Sequence, residues 1–262
     1  MLIVEAARRI IENPSPVIFI DTCAFVDLFR HQEKEPLPTF KADDLSAAIE
    51  VRNSIQMEFV EGARRSLEGS VHLVVPELVP IEFKDHVDRI ESNFRRWVEA
   101  QNESQKWLGE VMAILPQVAP SETASVSLEI SRRCRSIAEE LLDAAVVLDR
   151  DRACLDRAIG RLIGKIRPSH CKEVKDSMNL EQSLELCRQL KAGGHSHRRA
   201  FVSSNTSDFA AAKTSSHVHP DLDRDFRNVS LEYFTSIRAA WGAIRSQPRI
   251  QGGPTGPAAP AT

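Results

Sequence analysis

The chain has no excess of positive charge: its formal net charge is -3. A protein held to phosphate backbones by a general positive field needs such an excess, so any nucleic-acid contact must come from a local site. Paired cysteines are also missing. The five cysteines (Cys23, Cys134, Cys154, Cys171 and Cys187) are odd in number and form no CxxC pair, which excludes a disulfide framework and points to a reducing, cytoplasmic setting. No apolar run approaches the length of a membrane span. The apolar stretch from Leu2 to Ile11 is broken by Glu5, Arg8 and Arg9 before an export signal forms, so neither insertion nor export is expected. No internal repeat is found, and a hydrophobic content of 42% over 262 residues is too high for a disordered or fibrous chain.

Alternation of buried-strand and helix patterns is what the sequence does contain. Residues 2–12 have helical spacing and stop at Asn13-Pro14-Ser15-Pro16. Val17-Ile18-Phe19-Ile20 follows, an uninterrupted apolar run ending at Asp21, as expected for a strand buried on both faces. Residues 43–68 read as a crossover helix, and Val71–Val75 repeats the strand pattern. No strand is expected between Pro80 and Arg167; the apolar spacing there predicts a large helical insertion, about 84–170. Strands resume at 199–203 and 229–233, and a last helix runs from about 234 to 244. The expectation is therefore one α/β domain over 1–246 with a central parallel sheet, followed by a disordered Pro-, Gly- and Ala-rich tail over 247–262.

Ligands of parallel α/β sheets sit beyond the carboxyl ends of the strands. The acids predicted there are Asp21 after the first strand, Glu82 after the second, Asp176 at the start of a helix, and Asp208 in the polar run Ser203-Ser204-Asn205-Thr206-Ser207-Asp208. Converging carboxylates repel one another, and a hard divalent cation removes that repulsion. Each acid alone has a plainer reading. Asp21 and Asp176 could cap helices, the latter with Glu181 on an exposed face, Glu82 could be a solvated first-turn residue, and Asp208 could belong to an Asx turn. The four together carry the argument.

The set Ile18-Phe19-Ile20-Asp21-Thr22, Val75-Pro76-Glu77-Leu78-Val79-Pro80-Ile81-Glu82, Asp176, and Phe201-Val202-Ser203-Ser204-Asn205 with Asp208 resembles the PIN-domain family, over about a quarter of the chain. The resemblance implies a three-layer α/β/α sandwich and a Mg²⁺- or Mn²⁺-dependent endoribonuclease. It further implies metal-binding and catalytic roles for Asp21, Glu82 and Asp176. The family's fourth acid usually follows the strand as a Ser/Thr-x-Asp triplet. Here that position is Asn205, so either Asp208 completes the site or Asn205 supplies a neutral ligand. RNA is the implied partner, with single-stranded DNA as the variant substrate and a protein partner or second copy of the chain also compatible. The rival reading is a non-catalytic PIN-like module that binds RNA or protein.

Other features are read as structural. A phosphatase of the haloacid-dehalogenase type needs a second Asp two residues after the first, where this chain has Cys23. His170-Cys171, His195-x-His197 and Cys187 match no common zinc spacing. The clusters Arg132-Arg133-x-Arg135 and His197-Arg198-Arg199 are expected on solvated faces, and Trp97 and Trp107 in the core.

Overall fold

A computed structural model of the protein describes residues 1–28, 42–60, 71–114, 128–168, 174–212 and 215–246. In chain order the elements are α1 (Ile3–Glu12), β1 (Val17–Ile20), α2 (Thr22–Val26), α3 (Ala42–Val60), β2 (His72–Pro76), α4 (Leu78–Ile114), α5 (Leu128–Ala144) and β3 (Val146–Leu148). They continue with α6 (Arg152–Ile163), α7 (Lys175–Ala192), β4 (Arg199–Val202), α8 (Thr206–Phe209), α9 (Pro220–Asn228), β5 (Leu231–Phe234) and α10 (Ile237–Arg245).

The five strands form one sheet in the order β3-β2-β1-β4-β5, and every pairing is parallel. Side chains alternate across it, so each strand feeds two cores. Ile18, Ile20, Leu73, Val75, Ala200 and Val202 pack under α2, α3, α4, α5 and α10. On the other face Val17, Phe19, Val74, Phe201, Leu231 and Tyr233 pack under α1, α6, α7 and α9. Helices covering both faces explain why β1, β2 and β4 are buried throughout rather than alternating, His72 and Arg199 included.

From β1 the chain builds outward to β2 and β3, then returns to the opposite side of β1 to build β4 and β5. The order reverses between β1 and β4. Connections leave in opposite directions there and open a crevice at the carboxyl ends of these two strands, where α/β sheets bind ligands.

Three expectations are corrected. The stretch 84–170 is not purely helical: β3 lies within it and pairs with β2 as the edge of the sheet, so this segment is woven into the fold. Glu181 is not exposed but 2% accessible, held by Arg157 at 2.8 Å and Arg161 at 2.7 Å. Trp107 is not core; it is 62% accessible on α4, whereas Trp97 is half-buried with its ring 5.7 Å from that of Phe94. The predicted tail over 247–262, the end of the crossover helix over 61–68, and His170-Cys171 lie outside the described residues.

The basic clusters are mostly engaged. Arg135 pairs with Asp88, Glu91 and Glu139, and Arg198 pairs with Glu232. Arg199, expected on a solvated face, is buried. The four described cysteines, Cys23, Cys134, Cys154 and Cys187, are free. Among the described residues no helix is long and apolar enough to cross a membrane.

Candidate functional site

Asp21 stands at the reversal point. Its N–H donates to Val202 O at 2.9 Å, extending the β1–β4 ladder by one residue, and its side chain caps α2 by accepting the N–H of Thr22 at 2.9 Å. The expected capping role is thus real, yet it occupies only part of the carboxylate. Oδ2 also accepts the Ser203 hydroxyl at 2.9 Å and the Cys23 thiol at 3.2 Å, and Oδ1 faces Asn179 Nδ2 at 3.4 Å. At 4% accessible, Asp21 sits among donors from three separate parts of the chain. Burial, and then Asp21 beside it, push the Cys23 thiol far above its ordinary range. Cys23 is therefore a protonated donor to Asp21, not a nucleophile.

The remaining acids are tied to Asp21 through short polar side chains. Thr22, next in the chain, donates its hydroxyl to Glu82 Oε2 at 2.7 Å. Glu82 lies one turn inside α4, half-buried rather than solvated, and its Oε1 is 3.5 Å from the Lys175 ammonium. Lys175 opens α7 and precedes Asp176. Asp176 is in the first turn of α7, where the helix dipole favours a carboxylate; the cap position belongs to Val174.

Asp176 Oδ2 accepts from Asn205 Nδ2 at 3.1 Å, and the same nitrogen donates to Asp208 Oδ2 at 2.8 Å. The backbone N–H of Asn205 returns to Ser203 Oγ at 3.2 Å, next to Asp21. Two arms of contacts therefore leave Asp21, one through Thr22 to Glu82 and Lys175, the other through Ser203 and Asn205 to Asp176 and Asp208, and their ends meet where Lys175 and Asp176 are neighbours in sequence.

The polar run after β4 is held rigidly. Tyr233 donates its hydroxyl to Ser203 O at 3.0 Å, and Phe209 packs with its ring 5.1 Å from that of Phe201 and 6.4 Å from that of Tyr233. These anchors fix both ends of the segment carrying Asn205 and Asp208. Arg167 borders it, donating to Ser207 O and lying 4.0 Å from Asp208 Oδ1.

The structure brings all five predicted site residues, Asp21, Glu82, Asp176, Asn205 and Asp208, to the carboxyl edge of the sheet. Asn205 turns its nitrogen toward the two acids, while its oxygen accepts the Ser207 hydroxyl at 2.6 Å. Sequence reasoning missed Thr22, Ser203 and Lys175, which link the acids, and Asn179, which touches Asp21. Only Asn179 left a usable signal, since it lies three residues after Asp176 and so on the same side of the helix.

Among the described residues no three His, Cys, Asp or Glu side chains are placed as a ready metal-binding group. The donor set still suits a hard divalent cation. Its oxygens are those of carboxylates and of the Thr22 and Ser203 hydroxyls, and Mg²⁺ commonly needs only one or two protein carboxylates beside water and phosphate. The buried Asn179 Oδ1, on a side chain that touches Asp21, has no hydrogen-bond partner among the described residues. Comparison with family models, with curated proteins and with solved structures finds no match to this chain.

Proposed function

We propose that this protein is a metal-dependent endonuclease of the PIN type, hydrolysing phosphodiester bonds in RNA, with Asp21 as its central cation ligand. The observation that carries the reading is the pair of contact arms joining Asp21 to Glu82 on one side and to Asp176 and Asp208 on the other, at the point where the strand order reverses. A purely structural acid needs one cap or one cation. Four acids in one crevice, cross-linked by Thr22, Ser203 and Asn205, are better explained by a shared ligand.

When bound, Mg²⁺ or Mn²⁺ supplies a water of lowered pKa and neutralises charge on phosphate. The chain's own residues prepare that chemistry. Ser203, Cys23 and the Thr22 N–H aim Asp21. Thr22 orients Glu82, and Asn205 holds Asp176 and Asp208 together. Lys175 and Arg167 border the acids on two sides and offer positive charge to a phosphate backbone, meeting the need for a local site on a chain of negative net charge.

One observation favours the rival reading of a non-catalytic module that binds RNA or protein. Asn205 Nδ2 already bridges Asp176 and Asp208 without a cation. A single experiment separates the two: cleavage of end-labelled single-stranded and structured RNA, and of single-stranded DNA, with Mg²⁺, Mn²⁺ or EDTA, by the wild type and Asp21→Asn. The nuclease reading expects cleavage that needs the metal and is lost in Asp21→Asn. Binding without cleavage under every metal condition supports the module.

A further inference from the structure

We propose that Asn179 is a functional residue of the crevice, its side-chain oxygen being the neutral ligand of the divalent cation held at Asp21; this rests on the metal-dependent reading above. Asn179 is 1% accessible and sits on α7 one turn after Asp176. Its Nδ2 faces Asp21 Oδ1 at 3.4 Å. A carboxylate only accepts, so the amide must turn its nitrogen toward Asp21; the reverse orientation would set oxygen against oxygen. Oδ1, the other arm of the same amide, has no hydrogen-bond partner among the described residues.

The plain alternative, a buried helix amide bonded to main chain, describes its neighbours but not Asn179. Ser183 donates to Asn179 O at 2.9 Å, and Gln182 Nε2 donates to Asp149 O at 2.6 Å. Buried unpartnered side-chain atoms also occur among the described residues at Ser15, Gln182, His195 and Arg199. Asn179 is the one of these residues with a hydrogen bond to a candidate acid.

An unmet buried acceptor is costly, and the cost is recovered when the site takes up a species that attracts oxygen lone pairs. Hard cations take amide carbonyl oxygens readily. Asn205, the neutral ligand suggested by the sequence, is the weaker candidate. Its oxygen is engaged by Ser207 and its nitrogen faces the acids.

The test measures Mn²⁺ binding by the full chain, through the electron paramagnetic resonance signal of free Mn²⁺, together with melting temperatures in EDTA and in Mn²⁺. The proteins are wild type, Asp21→Asn, Asn179→Leu and Asn179→Asp. Asn179→Leu is expected to weaken Mn²⁺ about tenfold or more and to reduce the Mn²⁺-induced rise in melting temperature. Asn179→Asp sets a second carboxylate against Asp21, so its melting temperature in EDTA should fall and its rise with Mn²⁺ should exceed that of the wild type. If Asn179→Leu binds Mn²⁺ like the wild type while Asp21→Asn does not, the Asn179 assignment is overturned and the nuclease reading stands. If the wild type binds no more Mn²⁺ than Asp21→Asn, both fall. Should Asn179→Leu fail to fold, Asn179→Asp decides, and a Mn²⁺ shift equal to that of the wild type overturns the assignment.

Discussion

The two ends of the sheet solve the burial of polar groups in different ways. At the amino end, buried side chains bond to nearby main chain, while Ser15 Oγ, His195 Nδ1 and Arg199 Nε have no partner among the described residues. His72 Nε2 meets Asn13 O at 2.7 Å, His195 Nε2 meets Ser15 O at 3.0 Å, and Arg199 donates to Val229 O at 2.6 Å and His195 O at 2.7 Å. At the carboxyl end, side chains are satisfied mainly by other side chains from distant elements. Main-chain partners are fixed by the fold, so groups bonded to them serve the fold. Side chains that hold one another in a crevice form a set that can be rearranged around a ligand. The comparison predicts that substitutions at the carboxyl end cost function and spare stability, whereas those at the amino end do the reverse.

The largest effect is expected from Asp21→Asn, which keeps the volume and removes the charge. Metal-dependent cleavage should fall by at least about a hundredfold, as expected for a cation ligand rather than a residue behind one. Urea unfolding should show unchanged or slightly higher stability, because a buried charge is removed. A loss of stability as large as the loss of activity would erase the contrast between the two ends.

Arg199→Met is the converse change. It strands the carbonyls of Val229 and His195 beneath a buried side chain, and should cost about 3 kcal/mol in urea unfolding. Mn²⁺ affinity, measured where the variant is still folded, should match the wild type.

His195 gives the amino end a pH dependence. Burial lowers its pKa from the ordinary 6.5 to about 4, aided by the nearby charges of Arg199, His197 and His72 and partly offset by its hydrogen bond to Ser15. His197 shifts the same way, through burial and His72. The unfolded chain therefore takes up the His195 proton first as the pH falls. The stabilisation is complete above about 6.5 and is lost as pH drops toward 4, amounting to at most about 3 kcal/mol. His195→Gln, which keeps a donor for Ser15, should flatten the stability profile between pH 6.5 and 4 when urea midpoints are compared across that range.

The smallest effect belongs to Lys175→Met. This half-exposed ammonium lies 3.5 Å from Glu82, and its removal should change stability by less than about 0.5 kcal/mol. Cleavage should slow only a few-fold, most visibly at low salt, because what is lost is attraction for phosphate.

Much of the framework was legible because doubly covered strands leave plain marks. β1 is an apolar run between Pro16 and Asp21, β2 shows as Leu73-Val74-Val75 before Pro76, β4 shows as Ala200-Phe201-Val202, and the acids after them fall where the strand order reverses. β3 was not legible. It has three residues, follows α5 after a single intervening residue, Ala145, with no glycine or proline between them, and pairs on one side only. So short an edge strand has no period to detect. Glu181 looked like a solvated acid because its partners, Arg157 and Arg161, are reached only once α6 packs on α7. Thr22 and Ser203 are types found in any turn, and what marks them is contact with Glu82 and Asp21 across 60 and 182 residues of sequence.

Those sequence separations also govern when the crevice can exist. Ser203 cannot reach Asp21 until β4 has docked beside β1, and closing so long a loop is among the slower events in building a parallel sheet. During synthesis, β1, β2 and α4 emerge long before Asn205 and Asp208, so Asp21, Glu82 and Thr22 wait in an incomplete crevice. A chain interrupted before residue 199 has three strands of its sheet and lacks Ser203, Asn205 and Asp208. The complete acid cluster is thus confined to molecules whose translation has passed β4 and α8.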